Sequence, residues 1–516
     1  RRLAAVKGPQ TMRQCALLVA TLISVLPFGA AFRTCPLRRS SGRRSALGIS
    51  TEHGRYTLPD TDRYKAISVT SLRHLANTTY PQLFPKLADI EMAARVFPFK
   101  ASPFVLDRLI DWENIDTDPI FRMLFPTMQM LSARHRRLLE GACQSQDQLR
   151  ISEVVQRIRA ELNPHPAGQK ELNTGKAGME ALTGVQHMYD ETILFFPAAG
   201  QTCHAYCTYC FRWPQFIGDS DLRFAQKDAI SLFEYLSKHK SVTDILFTGG
   251  DPLIMKTSVL KEYLERFKNP SFLKHVKNLR IGTRALSFWP QRFLGDEDAE
   301  ELLQLLRDLR EKGGRHVAVM AHIAHGCELK PADTRRAIAA LQDAGVVIRS
   351  QAPLMRGIND DAEVWAAKWR EEVSLGIVPY YMFVARDTGA QDFFSVPLAE
   401  AHRIYSDAIR YTSGLCRTVR GPSMSGTPGK VEIVGVEVVG QEPAFVLRFL
   451  QCRDPDWIGR IFFAKLDPNA IWYDELRPLE GMRLPWDAAG MLRRHRPSVA
   501  LSGDDQKGKR NGVQSP

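Results

Sequence analysis

The sequence predicts an α/β fold, a partial (β/α)6 barrel with an N-terminal helical region and a C-terminal extension, on three observations. From Thr192 onward, six short runs rich in β-branched and aromatic residues recur: TILFFPA, VTDILFTG, LRIGTRA, HVAVMAHI, VVIRSQAPL and VPYYMFV. Segments with helical periodicity, such as DAISLFEYLSKH, AEELLQLLRDLREKG, DTRRAIAALQDAG and EVWAAKWREEVSLG, separate them. That alternation implies parallel strands joined by crossover helices. Finally, a cysteine cluster and the stretch GGDPL follow the first and second runs directly, at the strand ends where such a barrel carries its active-site groups.

Residues 1–51 read as an address. They hold nine Lys or Arg and no acid. Met12 reads as the start. After Arg13 comes an uncharged run, QCALLVATLISVLPFGAAF, short for a membrane span and ending in the small residues Gly29, Ala30 and Ala31. The following FRTCPLRRSSGRRSALGIST is rich in Arg and Ser and free of acids, as transit peptides are. This order resembles the bipartite presequences that carry proteins into plastids of secondary origin, which implies no membrane association after processing. A single-pass anchor is the alternative.

Residues 60–185 read as a helical region, with apolar residues at three- and four-residue spacing in DRYKAISVTSLRHLA, PQLFPKLADIEMAARVF and QLRISEVVQRIRAEL. A loop-like joint falls at 164–178, PHPAGQKELNTGKAG. The barrel is expected over 186–395, a C-terminal region over 396–490, and a disordered basic tail over 491–516.

Charge excludes one class of partner. The chain carries a net charge of +12, yet the basic excess is nine over residues 1–51 and four over residues 491–516, which leaves the body between them at −1. A body so near neutrality offers no electrostatic footprint for nucleic acid.

The nine cysteines are an odd number, and only Cys203, Cys207 and Cys210 cluster, in QTCHAYCTYCFRWPQF (201–216). That pattern points to a metal site and away from a secreted disulfide framework. Zinc is one candidate, although a structural zinc takes four protein ligands and no second CxxC exists. A [4Fe-4S] cluster on three thiolates, with one iron left open to a small molecule, is the other.

CxxxCxxC after the first strand, together with GGDPL (249–253), resembles the radical S-adenosylmethionine (SAM) superfamily. Within it, DPIFRMLFPT, IGTRALSFWPQR, HIAHGCELKPAD, AGVVIRSQAPLMRGINDD and VPYYMF resemble, in order, the lysine 2,3-aminomutase-like family. The resemblance implies an isomerase that moves an amino group from Cα to Cβ of an amino acid, using a [4Fe-4S] cluster, SAM and pyridoxal 5'-phosphate (PLP), with electrons from a donor such as ferredoxin or flavodoxin, and a homo-oligomeric state. It implies that Cys203, Cys207 and Cys210 hold the cluster, and that Tyr209, Gly249, Gly250 and Asp251 lie at SAM. Gln351 is assigned to the cofactors, with His322 and His325 as further candidates. Lys430, ending the glycine-rich GPSMSGTPGK (421–430), is implied as the PLP lysine, and Arg212 as the group that binds the substrate carboxylate.

Lysine-specific members place one aspartate after the YY-containing strand and another shortly before the PLP lysine. Here Arg386 stands at the first position and GPSMSGTPGK contains no acid. The arginines usual before the first strand are missing from HMYDETILFF. These departures set Arg386 as a substrate-facing residue suited to an acidic or neutral side chain. A radical SAM enzyme without PLP and a zinc-stabilised interaction protein are the rival readings.

Overall fold

The computed structural model describes residues 64–163, 182–218 and 223–488. The presequence expected over 1–51, the joint over 164–178 and the tail over 491–516 lie outside the described residues. The N-terminal region is helical, as its periodicity predicts. Helices Val69–Thr78, Leu87–Ala93, Ala133–Gln144 and Gln148–Leu162 each bury one face. The last two begin at side chains that take up otherwise orphaned amides: Ser132 accepts from the His135 N–H, and Asp147 from those of Leu149 and Arg150.

All six predicted strands form, parallel and side by side in chain order: β2 (Thr192–Phe195), β3 (Asp244–Phe247), β4 (Asn278–Thr283), β5 (His316–His322), β6 (Val347–Leu354) and β7 (Val378–Val384). Strand periodicity sorts their side chains. Ile245, Phe247, Leu279, Ile281 and Ile348 enter a core with Leu232, Leu260, Leu302 and Leu341 of the crossover helices. Asp244, Leu246, Arg280, Gly282 and Gln351 alternate onto the opposite, concave face.

The sheet is longer than the periodicity predicts. β1 (Val185–Tyr189) pairs antiparallel with β2, and β8 (Arg420–Ser425) pairs parallel with β7. β9 (Gly429–Val439), β10 (Glu442–Cys452) and β11 (Ile461–Lys465) continue it antiparallel, giving one open sheet of 11 strands in chain order. The C-terminal extension is therefore the sheet's own continuation. The glycine-rich GPSMSGTPGK is mostly strand: β8, a tight reversal closed by the Gly426 N–H to the Gly429 carbonyl at 2.9 Å, and the start of β9. Its glycines hide the strand from a propensity reading. Packing explains them: at Gly421 and Gly429, with φ of 148° and 153°, a Cβ would stand 2.4 Å from the Met382 carbonyl oxygen and 2.3 Å from that of Gln451.

Candidate active site

The loop after β2 carries the three cysteines, and two other parts of the chain hold it from outside the barrel sequence. The Tyr206 N–H donates to the Lys100 carbonyl at 2.8 Å, and both the N–H and the hydroxyl of Thr208 donate to the Met123 carbonyl at 2.9 Å. The Asp251 N–H, after β3, donates to the carbonyls of Thr202 at 2.7 Å and Gly200 at 3.1 Å. Lys100 adds a side-chain bond, its Nζ 2.9 Å from Thr202 Oγ1.

The glycines of GGDPL serve this docking. A Cβ at Gly250 would lie 2.4–2.6 Å from three backbone atoms of Thr202, and one at Gly249, where φ is 138°, would lie 2.1 Å from the Gln201 amide nitrogen. They were expected to let backbone approach a ligand; what approaches is the backbone of Thr202 at Gly250 and the side-chain amide of Gln201 at Gly249. Gly250→Ala is expected to cost on the order of 1–3 kcal/mol in urea unfolding. Gly141→Ala, in an open helical position, is expected to be neutral or stabilising.

Asp251 corrects a second expectation. Its carboxylate does not line the cavity; it accepts from Thr283 Oγ1 at 2.7 and 2.8 Å and from the N–H groups of Arg284 at 2.8 Å and Leu253 at 3.0 Å. It pins the end of β4 to the loop after β3, a positioning role. His325 is likewise turned away from the cavity, its Nδ1 accepting from the Cys327 N–H at 3.2 Å.

The other predicted residues come together. Cys203, Cys207, Cys210, Tyr209, Arg212, Gly249, Gly250, His322, Gln351, Arg386 and Lys430 all line one cavity of about 810 Å³ on the concave face. Such a volume suits a small-molecule site. Burial pushes the Cys203 thiol well above its ordinary range and Cys210 up to about 12, and in both cases neighbouring thiols add to the rise. Three thiols lining one cavity, whose burial disfavours their thiolates, are a donor set an iron–sulfur core fits, because its positive charge supplies what the thiolates lack. Among the described residues no three His, Cys, Asp or Glu groups gather closely enough to grip a single ion.

Sequence reasoning missed the group beside those thiols. Arg284, at the end of β4, donates from Nη1 to Cys207 Sγ at 3.3 Å and to the Tyr209 hydroxyl, and its guanidinium lies 3.9 Å from the centre of the Phe288 ring. Its Nη2 bonds Glu328 Oε2 at 3.0 Å, and Glu328, with no exposed surface, also accepts from Ser287 Oγ at 2.7 Å and from the amides of Ala324 and His325. The Tyr209 hydroxyl meets His322 Nε2 at 2.9 Å as well.

At the far end of the sheet, Lys430 on β9 turns into the cavity, with Nζ 4.0 Å from the centre of the Tyr381 ring and 5.6 Å from that of Phe383. Burial, with Arg280 and Arg420 adding positive charge nearby, lowers its pKa to about 7. An amine neutral near physiological pH is what covalent attachment of a carbonyl cofactor requires. Of the two arginines, Arg280 lines the cavity and donates from Nε to Asp244 Oδ1 at 2.7 Å, whereas Arg420 is exposed and lies outside the lining. A charged residue on the inward phase of LRIGTRA was the signal for Arg280; Arg420 had none.

No protein-family model matches the chain. It is 28% identical over 391 residues to the "Putative L-lysine 2,3-aminomutase" of Aquifex aeolicus, covering 76% of this chain and 91% of that protein. The chain is similar to proteins named L-lysine 2,3-aminomutase. It is 27% identical over 260 residues to the L-lysine 2,3-aminomutase of Fusobacterium nucleatum and 26% over 264 residues to that of Acetoanaerobium sticklandii, spanning 57% and 60% of their lengths. The cavity brings the three cysteines and Lys430 together, and Arg386 stands on the same lining, its Nε buried and unbonded.

Proposed function

We propose that this chain is a radical SAM, PLP-dependent amino-acid 2,3-aminomutase. One observation carries the reading: three cysteines on the loop after β2 and a lysine on β9, far apart in sequence, line a single cavity. When bound, the [4Fe-4S] cluster with SAM supplies the radical that removes a hydrogen from Cβ, and PLP supports the nitrogen as it moves from Cα to Cβ.

Every other task falls to the protein. Cys203, Cys207 and Cys210 would hold the cluster, and Arg284 offers a charged donor to Cys207 Sγ. Lys430, with its lowered pKa, holds PLP covalently without needing a strong base to free its amine. Arg280, on the cavity lining near Lys430, would offer the phosphate a cation. Arg212, buried among Phe196 and Phe211 at 4.1 and 5.0 Å from their ring centres, presents a planar fork to the substrate α-carboxylate. The aromatic wall of Tyr381, Phe383 and Phe211 keeps water from a reactive intermediate.

The test is anaerobic reconstitution with iron, sulfide and PLP, followed by dithionite, SAM and a panel of amino acids. The expected outcome is iron and sulfide in equal amounts, a visible absorbance from bound PLP, and a β-amino acid product. Zinc without iron, or full iron loading with no PLP absorbance, would overturn the reading.

A further inference from the structure

The cavity is unusual in its charges. Its lining carries five basic side chains, Arg212, Arg280, Arg284, Arg386 and Lys430, against two acids, Asp244 and Asp387. Three of the five have roles already: Arg280 pairs with Asp244 at 2.7 Å, Arg284 pairs with Glu328, and Lys430 is the attachment point for PLP. Arg212 and Arg386 remain. Among the described residues the Arg212 guanidinium has no hydrogen-bond or ion-pair partner, and Arg386 has only Asp387, 3.6 Å from an Nε that bonds nothing. Both guanidinium groups are buried against aromatic rings, Arg212 against Phe196 and Phe211 and Arg386 against Phe211 and Trp472.

The same ring locates them. The guanidinium carbons of Arg212 and Arg386 lie 5.0 and 5.1 Å from the centre of Phe211, so they are separated by no more than 10.1 Å, the sum of those distances. Trp472 covers Arg386 further, at 5.7 Å. Two desolvated forks this close, each short of acceptors, are complementary to a ligand with two carboxylates a few bonds apart.

Resting on the aminomutase reading, we propose that the substrate is a short dicarboxylic α-amino acid, its α-carboxylate on Arg212 and its side-chain carboxylate on Arg386. A cationic side chain would bring a third positive charge against Arg386, where the acids of the lining already have partners. An apolar side chain would leave the buried Arg386 Nε without a hydrogen-bond acceptor, which is penalised.

The first measurement uses the cofactor-free chain, so that it does not depend on turnover. By calorimetry, glutarate or succinate is expected to bind on the order of 10- to 100-fold more tightly than the monoacids pentanoate and butyrate or the diamine cadaverine. Arg386→Gln should abolish that preference, whereas Arg386→Lys should retain part of it, which separates loss of the charge from loss of the fold. Equal binding of diacids and monoacids, or an unchanged preference in Arg386→Gln, overturns the proposal. In the loaded enzyme, glutamate and aspartate are compared with lysine and norvaline. Faster isomerisation of lysine or norvaline overturns the dicarboxylate assignment and leaves the aminomutase standing. Selective diacid binding with no isomerisation of any amino acid does the reverse.

Discussion

A chain carrying Lys430→Met is expected to show no visible absorbance from bound PLP and to lose turnover by on the order of 10³-fold or more, while becoming more stable in its cofactor-free form at neutral pH. The second effect follows from the lysine's lowered pKa. Burial, with Arg280 and Arg420 contributing, takes Lys430 from 10.5 to about 7 in the folded chain. Between those values the unfolded chain binds the proton that the folded chain has released, so stability rises with pH across that window. Below about 7 both states are protonated and the folded chain bears the full cost of a buried ammonium. Methionine bears none of it. Urea midpoints of wild type and variant should therefore differ most below pH 7 and converge toward pH 10. A gap that stays constant with pH would show that Lys430 is solvated. Turnover lost with the PLP absorbance intact would place the attachment point elsewhere.

Glu328→Ala is expected to be the most destabilising single change near the thiols. It leaves Arg284 buried without its charged partner and strips acceptors from Ser287 Oγ and the amides of Ala324 and His325. Removing one member of a buried ion pair costs about 3–5 kcal/mol, a large share of a typical domain's stability. Glu328→Gln keeps an oxygen for those donors and should fall between the two. Both variants should also retain less iron after gel filtration, because Arg284 is free to turn away from Cys207. Unfolding midpoints within about 1 kcal/mol of wild type for Glu328→Ala would mean that Arg284 is wet.

The six central strands were legible in the sequence because each repeats the same trade: an apolar residue for the helix-covered layer, then a small or polar one for the concave face. Arg280 and Gly282 in LRIGTRA show that pattern in one strand. The cysteine loop and Lys430 were legible because their chemistry is rare. The hairpin of β8 and β9 was not, since Gly421 and Gly429 are there for neighbours that only the folded chain supplies. Asp251 was placed at a ligand because its position in GGDPL says nothing of which way the carboxylate turns. Arg284 and Glu328 escaped for another reason: their pairing joins the end of β4 to the segment after β5, and neither stretch looks exceptional alone.

The bonds from Tyr206 and Thr208 to the carbonyls of Lys100 and Met123 bear on how the molecule is made. Those acceptors leave the ribosome before the cysteines do, so the thiol loop can be fenced as soon as it emerges. The amine that completes the cavity comes roughly 220 residues after Cys210, on a hairpin that must wait for β7. Chain direction thus sets an order of assembly: the thiol end of the cavity can begin to form on an incomplete chain, and the amine end only once synthesis is nearly done.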